Sequence, residues 1–323
     1  MKKQKQELGY KIRKLREEKQ LTRESFCNDE SELTIRQLAR IEKGESFPSF
    51  SKLKYISATL GVPMSLIVDE SQIILPSRYL ELKHRLIHFM TYGDKERMNF
   101  KDVLFGEIYE HFFDSLPEEE QVTIKAMQAA FTIFATEKAD YGESLLEEYF
   151  DQLLLKKNYS LNDLLIIKLF LFMCLAGSKD IQTATQLVQK MMILVDYSNP
   201  TYLYLVTRNL VTIAAFHYQN EHYTDLYPYL NMLDKIIQET QDFQQKPSID
   251  MMKATYVLFV DNNLEKATKL FNQAIICAQS FSDIVLEERI SYEMKKTLKK
   301  VSEAGTKVLA SQLFLDCRAR RSG

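Results

Sequence analysis

The residues best suited to chemistry lie in one short segment near the amino terminus, 34–44, with the sequence TIRQLARIEKG. Wound as a helix, this segment turns its apolar residues toward neighbouring helices and projects Arg36, Gln37 and Arg40 outward. A guanidinium can donate two hydrogen bonds to the O6 and N7 of guanine, and a Gln amide can pair with adenine in the same bidentate way. These three residues are therefore candidates for reading base edges in the major groove, the alternative being solvated charges on a helix surface.

Three further residues are candidates for holding backbone phosphate. Thr22 is the predicted N-cap of a short helix, Arg23 follows it, and Thr34 caps the candidate reading helix. The N-terminus of a helix offers unpaired N–H groups to an anion, and a cation beside it strengthens that attraction.

The distribution of charge supports this interpretation of the N-terminal segment. Residues 1–70, called the head below, carry 14 Lys and Arg against 11 Asp and Glu, whereas the remaining 253 residues carry 28 against 33. A basic head on an acidic remainder is the asymmetry expected when one segment meets phosphate and the rest does not.

The head must fold into a small bundle to position these side chains. Its apolar spacing predicts five short helices, the first with an apolar stripe of Leu8, Ile12 and Leu15. The signals for the start and end of the later helices follow in chain order: the N-caps Thr22 and Thr34, the C-terminal Gly44 followed by Pro48, an N-cap at Ser49 or Ser51, the C-terminal Gly61, and Pro63 at the start of the last helix.

Composition predicts an all-α protein with more than one domain. The chain has 323 residues, only nine Gly and seven Pro, and 46% hydrophobic residues, a composition typical of helices around a substantial core. We expect a helix-turn-helix domain over 1–70, a linker with one helix over 71–100, a helical-repeat domain over 101–300, and either a last helix or a disordered or artificially added tail over 301–323.

A weak internal repeat organises the larger domain. Ala267, Phe271 and Ala274 have the spacing of the second helix of a tetratricopeptide unit, and the equivalent key positions Leu226 and Ala184 lie 41 and 42 residues apart. A fainter copy begins at Ser144. Repeats of about forty residues predict a right-handed stack of helix pairs with a concave face, degenerate because most consensus residues are missing.

Two stretches of the head resemble the Xre type of helix-turn-helix, the phage repressor type, over residues 8–68. The residues that carry the resemblance are Arg16, Leu21, Ile41, Glu42, Gly44, Pro48, Leu53, Leu60 and Gly61. The resemblance implies an ion pair between Arg16 and Glu42, which assigns both to structure and not to readout. The chain departs from the pattern at Arg23, where Gln is common, and in the turn before Thr34, which lacks the usual Gly and is one residue longer.

With its repeats, the whole chain resembles the peptide-responsive regulators of Gram-positive bacteria, the Rgg/PlcR/PrgX type, and among these the streptococcal competence regulators. The stretches that carry this are RQLARIEKGES, RLIHFMTYGDKERM, EIYEHFFDSLPEEE and KPSIDMMKATYVL. The resemblance implies a cytoplasmic regulator whose repeat domain binds a short hydrophobic peptide that is secreted and re-imported. It also implies that peptide binding frees the head and allows a homodimer to form on a near-palindromic operator of double-stranded DNA, activating competence or bacteriocin-type genes. A repressor released by peptide and a scaffold that does not bind DNA remain the alternatives.

Candidate peptide contacts combine a cation, an amide and soft apolar side chains. They are Lys101, Arg208, Asn209, Met251 and Met252, of which the resemblance supports Lys101 near a peptide terminus and Asn209 as a groove amide. The alternatives are an exposed lysine for Lys101 and an inter-helix hydrogen bond for Asn209. Other residues fit either an aromatic and thioether pocket or the core: Phe172, Met173, Met191, Met192, Phe216 and Tyr256.

Three acidic residues, Glu118, Glu119 and Glu120, follow Pro117 and open a predicted helix, where acids complement the helix dipole. The basic head and the acidic remainder suggest a further role. We expect these carboxylates to dock on Arg36 and Arg40 when peptide is absent, hiding the reading residues.

Sequence signals for catalysis, metals, cofactors and membranes are missing. The four cysteines are far apart, His84 and His88 lie one helical turn apart without a third ligand at suitable spacing, and there is no glycine-rich phosphate loop or nucleophile motif. No run reaches the length of a membrane span. We expect neither an enzyme nor a metal- or cofactor-binding protein.

Overall fold

A computed structural model describes residues 2–69, 74–139 and 142–319, and over these ranges every regular element is a helix. The predicted all-α fold class is confirmed. The chain divides into two compact units, Met1–Phe216 and His217–Gly323. The predicted boundaries at the end of the head, residue 70, and at the end of the linker, residue 100, therefore both fall inside the first unit.

The head forms a bundle around its own apolar cluster, which includes the fully buried Ile12, Leu38, Ile41 and Leu53. The last predicted helix is a 3-10 turn, and Pro63 precedes it with an extended ψ of 143°. The elements are α1 (Lys2–Glu18), α2 (Arg23–Cys27), α3 (Ile35–Glu42), α4 (Phe50–Leu60) and the 3-10 turn Met64–Leu66.

Both ends of α3 are fixed by local chemistry. Thr34 Oγ1 accepts a hydrogen bond from the Gln37 N–H, and Gln37 Oε1 accepts one from the Thr34 N–H, which together form a capping box. At the other end Gly44 has φ +71°, and a Cβ there would lie 2.7 Å from the Gln6 Cα. Only glycine fits this left-handed position against α1.

The first unit continues after the head with seven helices, α5 to α11, within the described residues. The predicted linker helix is α5, whose Tyr79 and Leu82 share an apolar cluster with Leu104 and Ile108 of α6 and Ile124 of α7. The helices are α5 (Ser77–His88), α6 (Lys95–His111), α7 (Glu118–Thr136), α8 (Glu143–Leu155), α9 (Leu161–Leu175), α10 (Ile181–Ile193) and α11 (Pro200–Gln219).

The second unit begins at His217, in the last turn of α11, and continues with four further helices. The key repeat positions Ala184, Leu226 and Ala267 are all fully buried, as expected of residues that close a helix pair. The Ser144 side chain lies outside the described part. The helices are α12 (Tyr227–Thr240), α13 (Lys246–Phe259), α14 (Leu264–Ser280) and α15 (Ile284–Ala319).

Candidate nucleic-acid interface and cation cluster

Glu42 joins α1 to α2 and α3, the two helices that carry the candidate DNA contacts. Arg16 donates from Nε to Glu42 Oε1 at 2.5 Å and from Nη2 to Oε2 at 3.2 Å. The Arg16–Glu42 pair implied by the Xre resemblance is present, and these hydrogen bonds raise the pKa of Arg16. Arg23 Nε donates to the same carboxylate at 2.8 Å. Arg23, a candidate phosphate contact, is therefore engaged within the head and retains a side chain that is 35% exposed.

The three predicted reading residues differ in exposure. Arg36 is exposed, and Arg40 is half-buried because it forms an ion pair with Glu118 at the start of α7. Gln37 does not project outward as predicted: its side chain is fully buried. The capping box folds the Gln37 side chain back on Thr34, and its Nε2 donates to Gln152 Oε1 of α8 at 3.1 Å.

Two residues outside the head, Glu118 and Gln152, hold α3 at several points. The Glu118 N–H donates to the Phe47 carbonyl at 3.1 Å, and Tyr149 Oη donates to Glu118 Oε1 at 2.9 Å. Gln152 Nε2 donates to the Glu30 carbonyl at 3.3 Å. We call the set Arg40–Glu118, Gln37–Gln152 and Phe47–Glu118 the head contact. No pattern in the sequence points to Gln152, because it lies 115 positions from its partner Gln37.

The predicted docking of three consecutive glutamates is wrong for Glu120. Positions two apart lie on opposite sides of a helix, so Glu120 points away from the head. Its carboxylate accepts hydrogen bonds from Tyr79 Oη at 2.5 Å, Lys83 Nζ at 2.6 Å and Asn162 Nδ2 at 2.9 Å. Burial by itself would raise the pKa of Glu120, but Lys83 and these hydrogen bonds outweigh it and lower the pKa.

Glu119 meets a residue of the head that was not among the predicted docking partners. Lys52 of α4 is buried, and burial lowers its pKa while the nearby Glu119 and Glu118 oppose that shift. Lys52, Glu119 and Gln152 line the same small cavity. Glu119 therefore interacts electrostatically with Lys52 of the head.

A second group of charged residues lies among α6, α9 and α11 and consists of three cations. Lys101 Nζ donates to the Leu86 carbonyl at 2.9 Å, and burial together with nearby Arg208 lowers the pKa of Lys101 to about 8. The pKa of Lys168 falls well below its usual value through burial and through Arg208 and Lys101. We call Lys101, Lys168 and Arg208 the cation cluster.

The composition of the cation cluster suits an anionic ligand. Among the described groups, the electrostatic contributions to the pKa values of Lys101 and Lys168 come from cations, and none comes from a carboxylate. Crowding like charges in a partly buried place costs free energy, and an anion placed there would recover it. The spacing of residues along the chain does not point to Lys168, because Lys101 and Arg208 are remote from it in sequence.

The two ends of the Asn209 side-chain amide fit its two predicted roles, an inter-helix hydrogen bond and a contact to peptide. Its Nδ2 donates to the Leu164 carbonyl at 3.0 Å, which is the inter-helix hydrogen bond expected of a structural amide. Its Oδ1 is buried and accepts no hydrogen bond from any described group. An acceptor in that state is available to a peptide N–H, so the side chain can serve as structure and as a contact.

The candidate apolar contacts divide by burial. Met173 and Met191 are fully buried and belong to the core, whereas Phe172, Met192 and Phe216 are half-buried. In the second unit Met251 and Met252 are half-buried on α13, and Tyr256 lies against Tyr227 with ring centroids 6.0 Å apart.

The rings of His84 and His88 lie in tilted contact, with centroids 4.1 Å apart, and the His88 ring also lies in tilted contact with Tyr204. Within the described residues they belong to no group of three ligating side chains. No described helix has the length and hydropathy to span a membrane.

The sequence of this helical chain matches the model of a known protein family. Residues 76–294 match the model of the ComR tetratricopeptide domain, which covers more than half of the sequence. The chain belongs to the ComR family. The expected resemblance to competence regulators is thereby confirmed. Curated protein sequences contain no match.

Solved structures of the ComR family agree with this assignment. The apo form of the competence regulator ComR from Streptococcus vestibularis is 36% identical, with 91% of this chain and 98% of that chain covered and a TM-score of 0.77. The same regulator in complex with its cognate signaling peptide XIP is 35% identical, with 91% and 99% covered and a TM-score of 0.64.

A third relative is ComR from Streptococcus thermophilus in complex with DNA and its signalling peptide ComS. It is 33% identical, with 90% of this chain and 99% of that chain covered and a TM-score of 0.65. Of the two S. vestibularis structures, the apo form gives the higher TM-score with this chain, 0.77 against 0.64 for the peptide-bound form.

Proposed function

We propose that this chain is a cytoplasmic transcription regulator that binds double-stranded DNA through α2 and α3 and is switched by a short hydrophobic peptide. The observation that carries the proposal is the ion pair between Arg40, on the reading face of α3, and Glu118. A side chain that reads DNA cannot do so while it is bound to a carboxylate of the same molecule. Relatives in the ComR family form complexes with DNA and with signalling peptides.

The roles on the DNA side follow from exposure and capping. Arg36 and Arg40 bind base edges, and Gln37 joins them once its bond to Gln152 opens. Thr22 and Thr34, as N-caps, and the exposed part of Arg23 contact phosphate. Two heads in a homodimer occupy the half-sites of a near-palindromic operator.

The head contact is the resting state of the switch. It holds α3 through one ion pair and one hydrogen bond between side-chain amides, and it holds Phe47, after α3, through one backbone hydrogen bond. Lys52 and Glu119 interact beside these contacts. Each of these bonds would be exchanged for bonds to DNA or water on release, so the net free energy that separates the two states is small enough for a ligand to overcome.

Peptide binding supplies that free energy, and the cation cluster and Asn209 are its polar contacts. Lys101, Lys168 and Arg208 hold the peptide carboxylate, and Asn209 Oδ1 accepts a main-chain hydrogen bond. Met251 and Met252 of α13 are proposed to contact apolar side chains of the peptide. Activation of competence or bacteriocin-type genes is the proposed outcome.

A mobility-shift assay on promoter fragments, with and without a hydrophobic peptide, tests the proposal. We expect a shift that appears or strengthens when peptide is added. No shift under either condition would favour the scaffold, and loss of the shift on adding peptide would favour a repressor.

A further inference from the structure

The turn that follows α11 holds two histidines and an aspartate that the proposed function does not use. His217, His222 and Asp225 each offer one ligand atom, and these atoms all lie within 4.8 Å of one another. Among the described residues this is the group of three or more His, Cys, Asp or Glu side chains close enough to share a metal ion.

Backbone geometry brings the two histidines together. The His222 N–H donates to the His217 carbonyl at 2.9 Å and the Glu221 N–H donates to the Tyr218 carbonyl at 3.2 Å, with Glu221 at φ +60°. This pair of bonds and the left-handed residue form a Schellman motif, which folds the second residue after a helix back over its last turn. The two histidines are thus juxtaposed by local structure.

The aspartate is placed by the next turn of the chain. The Asp225 N–H donates to the His222 carbonyl at 3.1 Å within the 3-10 turn Tyr223–Leu226. Its Oδ2 lies 3.5 Å from His217 Nδ1. The His217 ring is held in place because it is buried and stacks on Tyr229, with ring centroids 5.5 Å apart.

The donor set and spacing fit a tetrahedral transition-metal ion. Bonds of about 2.0–2.1 Å to such an ion place its ligand atoms about 3.3 Å apart. The His217–Asp225 pair is already close to that spacing. His222 and Asp225 are exposed, so their side chains can close the remaining gap by rotation. Two imidazoles and one carboxylate favour zinc over magnesium or calcium.

We propose that His217, His222 and Asp225 form a site for one Zn²⁺ ion, with water as the fourth ligand. The ion joins the last turn of α11 to the 3-10 turn that leads into α12. It therefore stabilises this turn when bound.

Calorimetric titration of the metal-free full-length chain with Zn²⁺ tests the site, together with visible absorption of the Co²⁺-substituted protein. We expect one ion per chain and a tetrahedral Co²⁺ spectrum without thiolate charge-transfer bands. His222→Gln and Asp225→Asn should each weaken binding at least by the roughly ten- to hundredfold that losing an outer-shell partner costs. Both side chains are exposed, so these variants should keep the wild-type circular dichroism.

His84→Gln is the matched control, because it removes a histidine from the other close pair. It should leave zinc affinity unchanged. Absence of binding by the wild-type chain, thiolate bands in the Co²⁺ spectrum, or an affinity that is lost in His84→Gln but retained in His222→Gln and Asp225→Asn would each overturn the proposal.

Discussion

The head contact and the cation cluster both place charged side chains in partly buried surroundings, yet they differ in composition. In the head contact a cation meets a carboxylate, as Arg40 meets Glu118 and Lys52 faces Glu119. In the cation cluster Lys101 and Lys168 are influenced by cations only, within the described groups. One region is complete within the chain, and the other is electrostatically suited to a ligand of opposite charge.

The difference suggests how the two regions divide the work of a switch. A compensated contact stabilises the state without ligand, since breaking it leaves a partly buried charge without its partner. A cluster of cations destabilises the state without ligand and stabilises the state with an anion bound. The cost of removing charge from water therefore favours the state without ligand at the head contact and the state with ligand at the cation cluster.

The largest effect is expected at Arg36 and Arg40. It tests whether Arg40, a member of the head contact, acts in DNA binding and not in peptide binding. Arg36→Ala and Arg40→Ala should each lower specific DNA affinity in the presence of peptide by about 1–3 kcal/mol, because each removes a proposed base contact. Fluorescence anisotropy on operator DNA measures this. Peptide affinity and the fold should persist, and Lys14→Ala, which removes an exposed cation of α1, is the control. Loss of peptide binding in either arginine variant would contradict the division of labour.

Reversing one charge should break the compensated region. Glu118→Arg should raise DNA affinity without peptide by about 2 kcal/mol, or roughly thirtyfold, since it replaces the attraction to Arg40 by repulsion. The mobility shift without peptide is the measurement. Glu110→Arg, an exposed charge reversal on α6, should leave the shift unchanged. If Glu118→Arg also leaves it unchanged, the head contact does not restrain DNA binding.

Neutralising the cation cluster should act on the ligand alone. Lys101→Met and Lys168→Met should each weaken peptide affinity by about 1.5 kcal/mol, near the lower limit for hydrogen bonds to charged groups. DNA binding without peptide should not change. Calorimetric titration with peptide gives the affinity, and Lys95→Met, at an exposed position of the same helix as Lys101, is the comparison. Equal affinities for Lys95→Met, Lys101→Met and Lys168→Met would separate the cluster from the peptide site.

A smaller effect is expected where the head contact is uncharged. Gln152→Ala removes the amide that binds Gln37 and should raise DNA affinity without peptide by about 1 kcal/mol, the usual net value of such a hydrogen bond. Gln189→Ala, at an exposed position of α10, should have no effect. If Gln152→Ala raised DNA affinity without peptide as much as Glu118→Arg does, the ion pair would not be stronger than the uncharged hydrogen bond of the head contact.

The smallest effect concerns pH. The pKa of Lys101 is about 8 in the free protein and rises when an anion binds, so near and above pH 8 peptide binding must be accompanied by uptake of a proton. Peptide affinity should be constant well below pH 8, be about halved at pH 8, and fall further above it. Calorimetry across this range, with Lys101→Met as the variant that should lose the dependence attributable to Lys101, measures it. A rise in affinity with pH would contradict the sign.

Features that depend on near neighbours in sequence were predictable. Thr34 caps α3 because its hydroxyl reaches an N–H three residues ahead, and Gly44 ends the helix because its backbone conformation excludes a side chain. The repeat positions Ala184 and Ala267 are buried, as their spacing predicted. These outcomes follow from helix geometry alone.

Features that depend on contacts between distant helices were missed or misassigned. Gln37 was predicted to face outward, and it is buried because Gln152 and the capping box hold it. Glu120 was assigned to the head contact, and it joins Tyr79, Lys83 and Asn162 instead. Neither partner set can be read from spacing along one helix.

The sequence alone determined that the chain is helical, that a basic helix-turn-helix head precedes degenerate repeats, and that Arg36 and Arg40 are the residues to test against DNA. Those conclusions rest on periodicity, capping and charge, which are local. Only the tertiary structure decided that Arg40 is paired with Glu118, that Gln37 is covered, and that Lys168 joins Lys101 and Arg208. The reason is that burial and charge pairing are set by side chains brought together from distant parts of the chain.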